Sequence, residues 1–408
     1  MRKRISVDQL RTGMYLQEIC GSWMEHPFWR KSFLIREVKD LQTLRDCGIT
    51  EVWIDTAKGK DVAEGQARTE VEATIDHQFQ EVAAEPPRIV ERTSLADEVR
   101  VATRIVAHAK EAVSSMFHEA RMGRALDGGD ALSLVEDISA SVYRNPGAII
   151  SLARLKNKDE YTYMHSVAVC ALMVSLARQL DLDEQQTRAA GLAGLLHDVG
   201  KMAIPDEILN KPGNLTDDEF ARVKTHPEEG HKMLLEGRNI DTFALDVCLH
   251  HHEKMDGTGY PGRLKADEIS LFARMGAVCD VYDAITSNRP YKAGWDPAES
   301  MRKMAEWTGH FDSQIFQAFV KSLGIYPTGS LVRLESGRLA IVVEQSGNSL
   351  LTPLVRAFFS LQANSRITPE LVDLSRPHVS DKIIAREDVA RWGFKNLDEL
   401  WISAGESH

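Results

Sequence analysis

Cysteine is scarce in this chain and never paired. The five cysteines, Cys20, Cys47, Cys170, Cys248 and Cys279, are odd in number, scattered over 408 residues and nowhere spaced as CxxC. That excludes a disulfide framework or a zinc ribbon and fits a reducing cytosol. Cys170, Cys248 and Cys279 lie in apolar helical stretches and read as small buried hydrophobes. Long apolar runs are missing too: no stretch approaches the roughly 20 consecutive apolar residues of a spanning helix. The basic start Met1-Arg2-Lys3-Arg4 is not followed by the apolar segment of a secretory signal. Positive charge is in deficit, with 49 Lys and Arg against 60 Asp and Glu, a formal net charge of -11. Such a chain is a poor binder of nucleic acid polymers or of an anionic membrane. A phosphate-ester substrate would have to be met locally, by metal ions and a few placed cations. The remainder is ordinary for a cytoplasmic globular protein, 43% hydrophobic and 27% charged, and long enough for two or three domains.

Residues 1–61 mix strand and helix signals. Val38, Leu41 and Leu44 share one helical face that ends at Gly48, and Glu51-Val52-Trp53-Ile54-Asp55 follows as a short strand. Trp23, Phe28, Trp29 and Phe33 read as the core of this small α+β domain. Residues 62–93 are polar, rich in Glu and Ala, and carry Pro86-Pro87, which predicts a linker or weak helix. Ser94 is placed to cap an amphipathic connecting helix over 94–130, with Gly123 and Gly128-Gly129 ending it. Such a helix could pair with a second copy in a homodimer or pack on the next domain. From 131 to 324 nearly every segment reads as helix. Beyond that, over 325–408, a β-rich segment is predicted: 330–334 and 338–344 flank the turn Glu335-Ser336-Gly337, and 354–359 is a further strand.

The helical stretch carries the chemistry. Seven of the 14 histidines lie between 165 and 252. His165 sits in one helical run. His197-Asp198 ends an apolar run, where a charged pair has no packing role. His226 precedes Pro227 at a helix junction. His250-His251-His252-Glu253 ends a fourth helix, and Asp280 shares the face of a fifth with Asp283. Imidazole and carboxylate donors from five helices suit a buried binuclear site for iron, zinc, manganese or nickel. Two such ions can hold a hydroxide nucleophile and polarise a phosphoryl oxygen.

His197-Asp198-Val199-Gly200-Lys201 with Ile204-Pro205 resembles the HD superfamily of phosphohydrolases. His251-His252-Glu253-Lys254-Met255-Asp256-Gly257-Thr258-Gly259-Tyr260-Pro261 resembles the motif that names its HD-GYP subgroup. Lys211 to Thr216, His226-Pro227, Asp280-Val281-Tyr282-Asp283 and Arg289-Pro290-Tyr291-Lys292 also match in order and spacing. Residues 1–61 resemble, more weakly, a small domain of unknown role often found ahead of HD-GYP domains. The resemblance implies a mainly α-helical HD-type bundle and hydrolysis of the bacterial second messenger cyclic di-GMP to linear pGpG or on to GMP. It implies metal ligands at His165, His197, Asp198, His226, His251, His252 and Asp280, with Asp198 bridging two divalent ions, iron or manganese before zinc or nickel. Lys201 would neutralise charge at the scissile phosphate, and Arg289 and Lys292 would grip the ligand phosphates. The loop Gly259, Tyr260 and Pro261 would be structural, with diguanylate cyclase domains as its further partner in the family. One position departs: where some members supply a third-metal glutamate, four residues before His165, this chain has Tyr161. Three alternatives stand beside the phosphodiesterase: a non-catalytic cyclic di-GMP receptor, an HD phosphohydrolase acting on another nucleotide, and a protein whose main function is partner binding by its N-terminal domain.

Overall fold

The computed structural model describes residues 1–21, 32–46, 49–85, 93–156, 161–211, 213, 215–288 and 294–402. Trp23, Phe28, Trp29, Arg289 and Lys292 lie outside them. In chain order the N-terminal part contributes β1 (Arg2–Ser6), β2 (Tyr15–Cys20), β3 (Phe33–Leu34), α1 (Val38–Asp46), β4 (Glu51–Asp55) and β5 (Gln66–Ala67). The strands form an antiparallel sheet in the order β3-β2-β4-β1-β5. Its alternating apolar residues, among them Ile5, Leu16, Val52 and Ile54, close with Leu41 and Leu44 of α1 into a small core of their own.

The segment expected to be a linker or weak helix holds α2 (Arg68–Ala84). Val71, Ile75, Phe79 and Val82 recur every three or four residues and are buried, so the helix has one apolar stripe among charged residues. Next come α3 (Leu95–Arg121), α4 (Gly128–Arg144), α5 (Pro146–Arg154), α6 (Tyr161–Gln179), α7 (Glu184–Leu196), α8 (Asp206–Leu209), α9 (Asp217–Val223), α10 (His226–Leu235), α11 (Thr242–His250), α12 (Leu271–Thr286), α13 (Pro297–Glu306) and α14 (Ser313–Leu323). The Ser94 hydroxyl accepts the Asp97 amide at 3.2 Å and so caps α3. Gly128-Gly129 correct the sequence reading: they open α4 instead of ending α3. The Asp127 carboxylate accepts the Gly129 amide at 2.8 Å, and this cap outweighs the low helix propensity of the two glycines.

α6, α7 and α12 are apolar nearly all round and form the centre of the bundle. α2 packs against α13 and α14 at its side. The N-terminal sheet is tied to α13 by Arg4, which donates to the Glu306 carbonyl at 2.7 Å, and by a Lys303–Glu18 ion pair of 2.7 Å.

The chain ends in β6 (Leu331–Leu334), β7 (Arg338–Glu344), β8 (Leu354–Ser360), β9 (Ser365–Asp373), β10 (Ile383–Arg386) and the short helices α15 (Val389–Trp392) and α16 (Glu399–Ile402). This second antiparallel sheet runs β10-β6-β7-β8-β9. Alternation along β7 serves two cores: Leu339, Ile341 and Val343 join the helical core, and Ala340 and Val342 pack on the outer face. The protein is therefore mainly helical, with one small antiparallel sheet near each end. Among the described residues no helix is long and apolar enough to cross a membrane.

Candidate metal centre

Five helices deliver the site. His165 projects from the first turns of α6. His197 caps the C-terminus of α7, and Asp198 leads straight into a 3-10 turn, Val199–Ala203. His226 opens α10, with Pro227 in its first turn. His251 and His252 follow the last residue of α11, and Asp280 lies on α12. The turn after Asp198 can approach α10 only because residue 200 is glycine: a Cβ there would run into the His226 carbonyl oxygen and the Gly230 backbone. That contact brings Asp198 and His226 together.

The side chains gather into three overlapping triads: His165, His197 and Asp280; His197, Asp198 and His251; His226, His251 and His252. In each, the candidate ligand atoms lie within 4.8 Å of one another. Asp198 stands between the two ends and is fully buried. Its Oδ2 is 3.4 Å from the Nε2 atoms of both His165 and His197, whereas its Oδ1 is 3.3 Å from His226 Nε2 and 3.8 Å from His251 Nε2. Asp280 Oδ1 is 2.9 Å from His165 Nε2, and its Oδ2 is 3.8 Å from His252 Nδ1. The Lys201 ammonium pairs with Asp198 Oδ2. His250 is outside the cluster and pairs with Asp246 at 2.8 Å.

Second contacts fix which ring nitrogen faces inward. A backbone carbonyl can only accept, so Nδ1–H donates from His197 to Gly194 (2.8 Å), from His226 to Val223 (2.8 Å) and from His251 to Val247 (3.0 Å). In the neutral ring each Nε2 then presents its lone pair to the centre, the tautomer a metal ion needs. His226 Nε2 and His251 Nε2 face each other at 3.3 Å, an arrangement of two lone pairs that a shared cation relieves. Among the described residues, His197 Nε2, Asp198 Oδ1 and Asp280 Oδ2 are buried without a hydrogen-bond partner. Groups left so are costly unless something else binds them. The donor set, its orientation and its orphaned atoms all fit divalent metal ions.

Electrostatics agree. Burial opposes ionisation of both aspartates, but the Lys201 and His197 charges hold Asp198 well below the usual carboxylate range, and the hydrogen bond from His165 does the same for Asp280. Burial also opposes protonation of His197, yet Asp198 and Asp280 raise its pKa to about 10. Burial, together with the charge of His197, pushes His251 down to about 3. A proton on His197 must leave before its nitrogen can bind a metal. Below a pH of about 10 the two compete, so metal affinity falls as pH falls. Metal uptake near neutral pH is expected to release about one proton per chain from His197. Calorimetry in buffers of different ionisation enthalpy measures this; an enthalpy independent of buffer contradicts it.

The loop of the signature motif supports the site from one side. Glu253 is buried, and its carboxylate accepts the amides of Gly262 (2.6 Å) and Leu264 (3.0 Å). Gly259 lies against the Glu253 and Lys254 backbone with no room for a Cβ. The Tyr260 ring is thereby stacked on His252, with centroids 4.7 Å apart. Two residues at the site went unassigned in the sequence. Asp283 accepts from His165 Nδ1 at 2.6 Å, and Lys156 pairs with Asp283. The i, i+3 spacing of Asp280 and Asp283 was the available signal for the first; a lysine beyond the end of α5 offered none for the second.

The chain matches the family model described as HD domain over residues 148–315 and one described as a domain of unknown function, DUF3391, over residues 2–131. The cyclic di-GMP phosphodiesterase PA4108 of Pseudomonas aeruginosa is 56% identical over 408 residues, which is 100% of this chain and 97% of that protein. The cyclic di-GMP phosphodiesterase response regulator RpfG of Xanthomonas campestris pv. campestris is 42% identical over 199 residues, 47% of this chain and 52% of its own. The 3'3'-cGAMP-specific phosphodiesterase 1 of Vibrio cholerae is 35% identical over 169 residues, 40% of this chain and 38% of its own.

Proposed function

This chain belongs to the HD-domain family of cyclic di-GMP phosphodiesterases, and from that premise we propose that it hydrolyses cyclic di-GMP at a centre of two divalent metal ions. The observation that carries the reading is the placement of Asp198, whose two carboxylate oxygens face opposite halves of the histidine cluster. One ion is assigned to His165, His197 and Asp280, the other to His226, His251 and His252, with Asp198 shared. Iron or manganese suits this mixed imidazole and carboxylate set, with zinc and nickel as the other candidates. Such ions supply a nucleophile at neutral pH and polarise the phosphoryl oxygen.

The protein's own groups do the rest. Asp198 offsets the charge of both ions. Lys201, anchored on Asp198, is assigned the stabilisation of charge as it develops on the scissile phosphate. Tyr260 holds the His252 ring in place. The count of two follows from Tyr161, whose ring stacks on His165 with the Lys156 ammonium 5.1 Å from its centroid. A phenol beside a fixed cation does not supply the carboxylate charge that a third ion would need. With two ions the first cleavage is favoured, and linear pGpG is the product expected to accumulate ahead of GMP.

Arg289 and Lys292 are proposed to grip the ligand phosphates, Arg289 through a two-pronged contact and Lys292 as a point charge. Their double replacement by alanine is expected to weaken cyclic di-GMP binding by at least about tenfold, as loss of charge-assisted hydrogen bonds implies, with metal content unchanged. Calorimetric titration checks this; unaltered affinity removes both from the site.

The similarity to a 3'3'-cGAMP-specific enzyme favours one second reading, a preference for the mixed dinucleotide. A turnover assay on metal-loaded protein with cyclic di-GMP, 3'3'-cGAMP and cyclic di-AMP as competing substrates decides. The proposal expects the highest kcat/KM for cyclic di-GMP, and a higher value for 3'3'-cGAMP rejects it.

A further inference from the structure

His165 is held differently from the other ligand histidines. The Nδ1 atoms of His197, His226 and His251 donate to backbone carbonyls, whereas that of His165 donates to the Asp283 carboxylate at 2.6 Å. Asp283 is itself fixed from two more directions. Its Oδ1 accepts the Ser287 hydroxyl at 3.1 Å, and its Oδ2 takes an ion pair from Lys156. The Lys156 side chain is 0% exposed and Asp283 3%. Lys156 reaches in from just beyond the end of α5, across the Tyr161 ring, and that ring stacks on His165 at 6.0 Å between centroids. The lysine thus meets the histidine's two supports, Asp283 and Tyr161.

A lysine buried to this degree is rare and is kept only where its charge is used. Lys201 already serves Asp198, and Lys156 is too enclosed to greet a ligand. We propose that Lys156 is a positioning residue for one of the two metal ions, acting through Asp283 on His165. Its ammonium supplies the counter-charge for a carboxylate that would otherwise be buried alone beside the cluster, and fixes the direction in which that carboxylate points. The carboxylate in turn orients the His165 ring and makes its Nε2 a stronger donor, as a carboxylate behind a metal-bound imidazole does. Among the described residues the triad of His226, His251 and His252 has no such relay, since two of its rings rest on carbonyls and the third on Tyr260. The inference rests on the two-ion centre proposed above and adds an asymmetry to it: the two ions are held by different supports and can be loosened separately.

The test is metal content by mass spectrometry of full-length protein equilibrated with graded chelator, with anomalous diffraction to assign each ion to its triad. Lys156→Met keeps the length of the side chain and removes its charge. It is expected to lose the ion at His165, His197 and Asp280 at about 10–100-fold higher free metal than wild type, the usual scale for an outer support. The ion at His226, His251 and His252 should be retained as in wild type. Lys156→Met leaves Asp283 unpaired and could unfold, so the Lys156→Met/Asp283→Asn variant, which removes both charges, carries the same expectation without a buried orphan. Equal loss from both triads in the folded double variant, or wild-type retention at both, overturns the inference while leaving the two-ion centre standing. Wild-type protein that binds no metal at either triad overturns both.

Discussion

Replacing Asp198 with alanine is expected to abolish turnover while leaving the helices folded. Asp198 faces His165 and His197 with one oxygen and His226 and His251 with the other, so in the proposed two-ion centre its loss would take a ligand from both ions at once and leave Lys201 without its anchor. Removing a single electrostatic contact from an active site already costs about 10²–10³ in kcat, and this change removes more than one. The apolar core around α6, α7 and α12 does not depend on the carboxylate, so circular dichroism should report wild-type helicity. Turnover of cyclic di-GMP is measured at equal metal loading. A variant that keeps wild-type kcat there refutes the shared role of Asp198.

Gly200→Ala is the second change with a large effect, and it acts through the backbone. The added Cβ would meet the His226 carbonyl oxygen together with the amide and Cα of Gly230. None of these is the end of a flexible side chain, so the turn Val199–Ala203 and the start of α10 must separate. Overpacking of a tight contact costs roughly 1–3 kcal/mol, and here the displacement also pulls Asp198 away from His226. The variant is expected to melt several degrees lower and to retain less metal at the His226, His251 and His252 triad. Thermal unfolding with metal analysis of the same sample checks both. Wild-type melting and full occupancy would show that the turn does not set the geometry of the centre.

The clustered His and Asp side chains were legible in the sequence because their chemistry conflicts with packing. A His197-Asp198 pair at the end of an apolar run, or His251-His252 at the end of another, has no place in a core unless something binds it. Strands such as Glu51–Asp55 and Arg338–Glu344 were legible from their β-rich composition and flanking turns. α2 was less so: its four buried residues are diluted by Glu, Gln and Asp, and the hydrophobic contrast is weak. β9 carries mostly exposed residues and Pro369, so neither alternation nor propensity marks it; it exists because β8 offers an edge to pair with. Lys156 was invisible for a different reason. A lysine reads as solvent-facing in any local window, and only the tertiary fold brings Asp283 and Tyr161 to it. Its place beside His165 is a property of three elements, none of which announces it alone.

The most direct test of a two-ion cyclic di-GMP phosphodiesterase is one experiment on freshly purified protein: metal stoichiometry per chain, with chromatography of the products of cyclic di-GMP over time. Two ions are expected, one at His165, His197 and Asp280 and one at His226, His251 and His252, with linear pGpG rising ahead of GMP and activity lost on chelation and restored by iron or manganese. Cyclic di-GMP left intact by protein carrying both ions would contradict it and leave a receptor in its place.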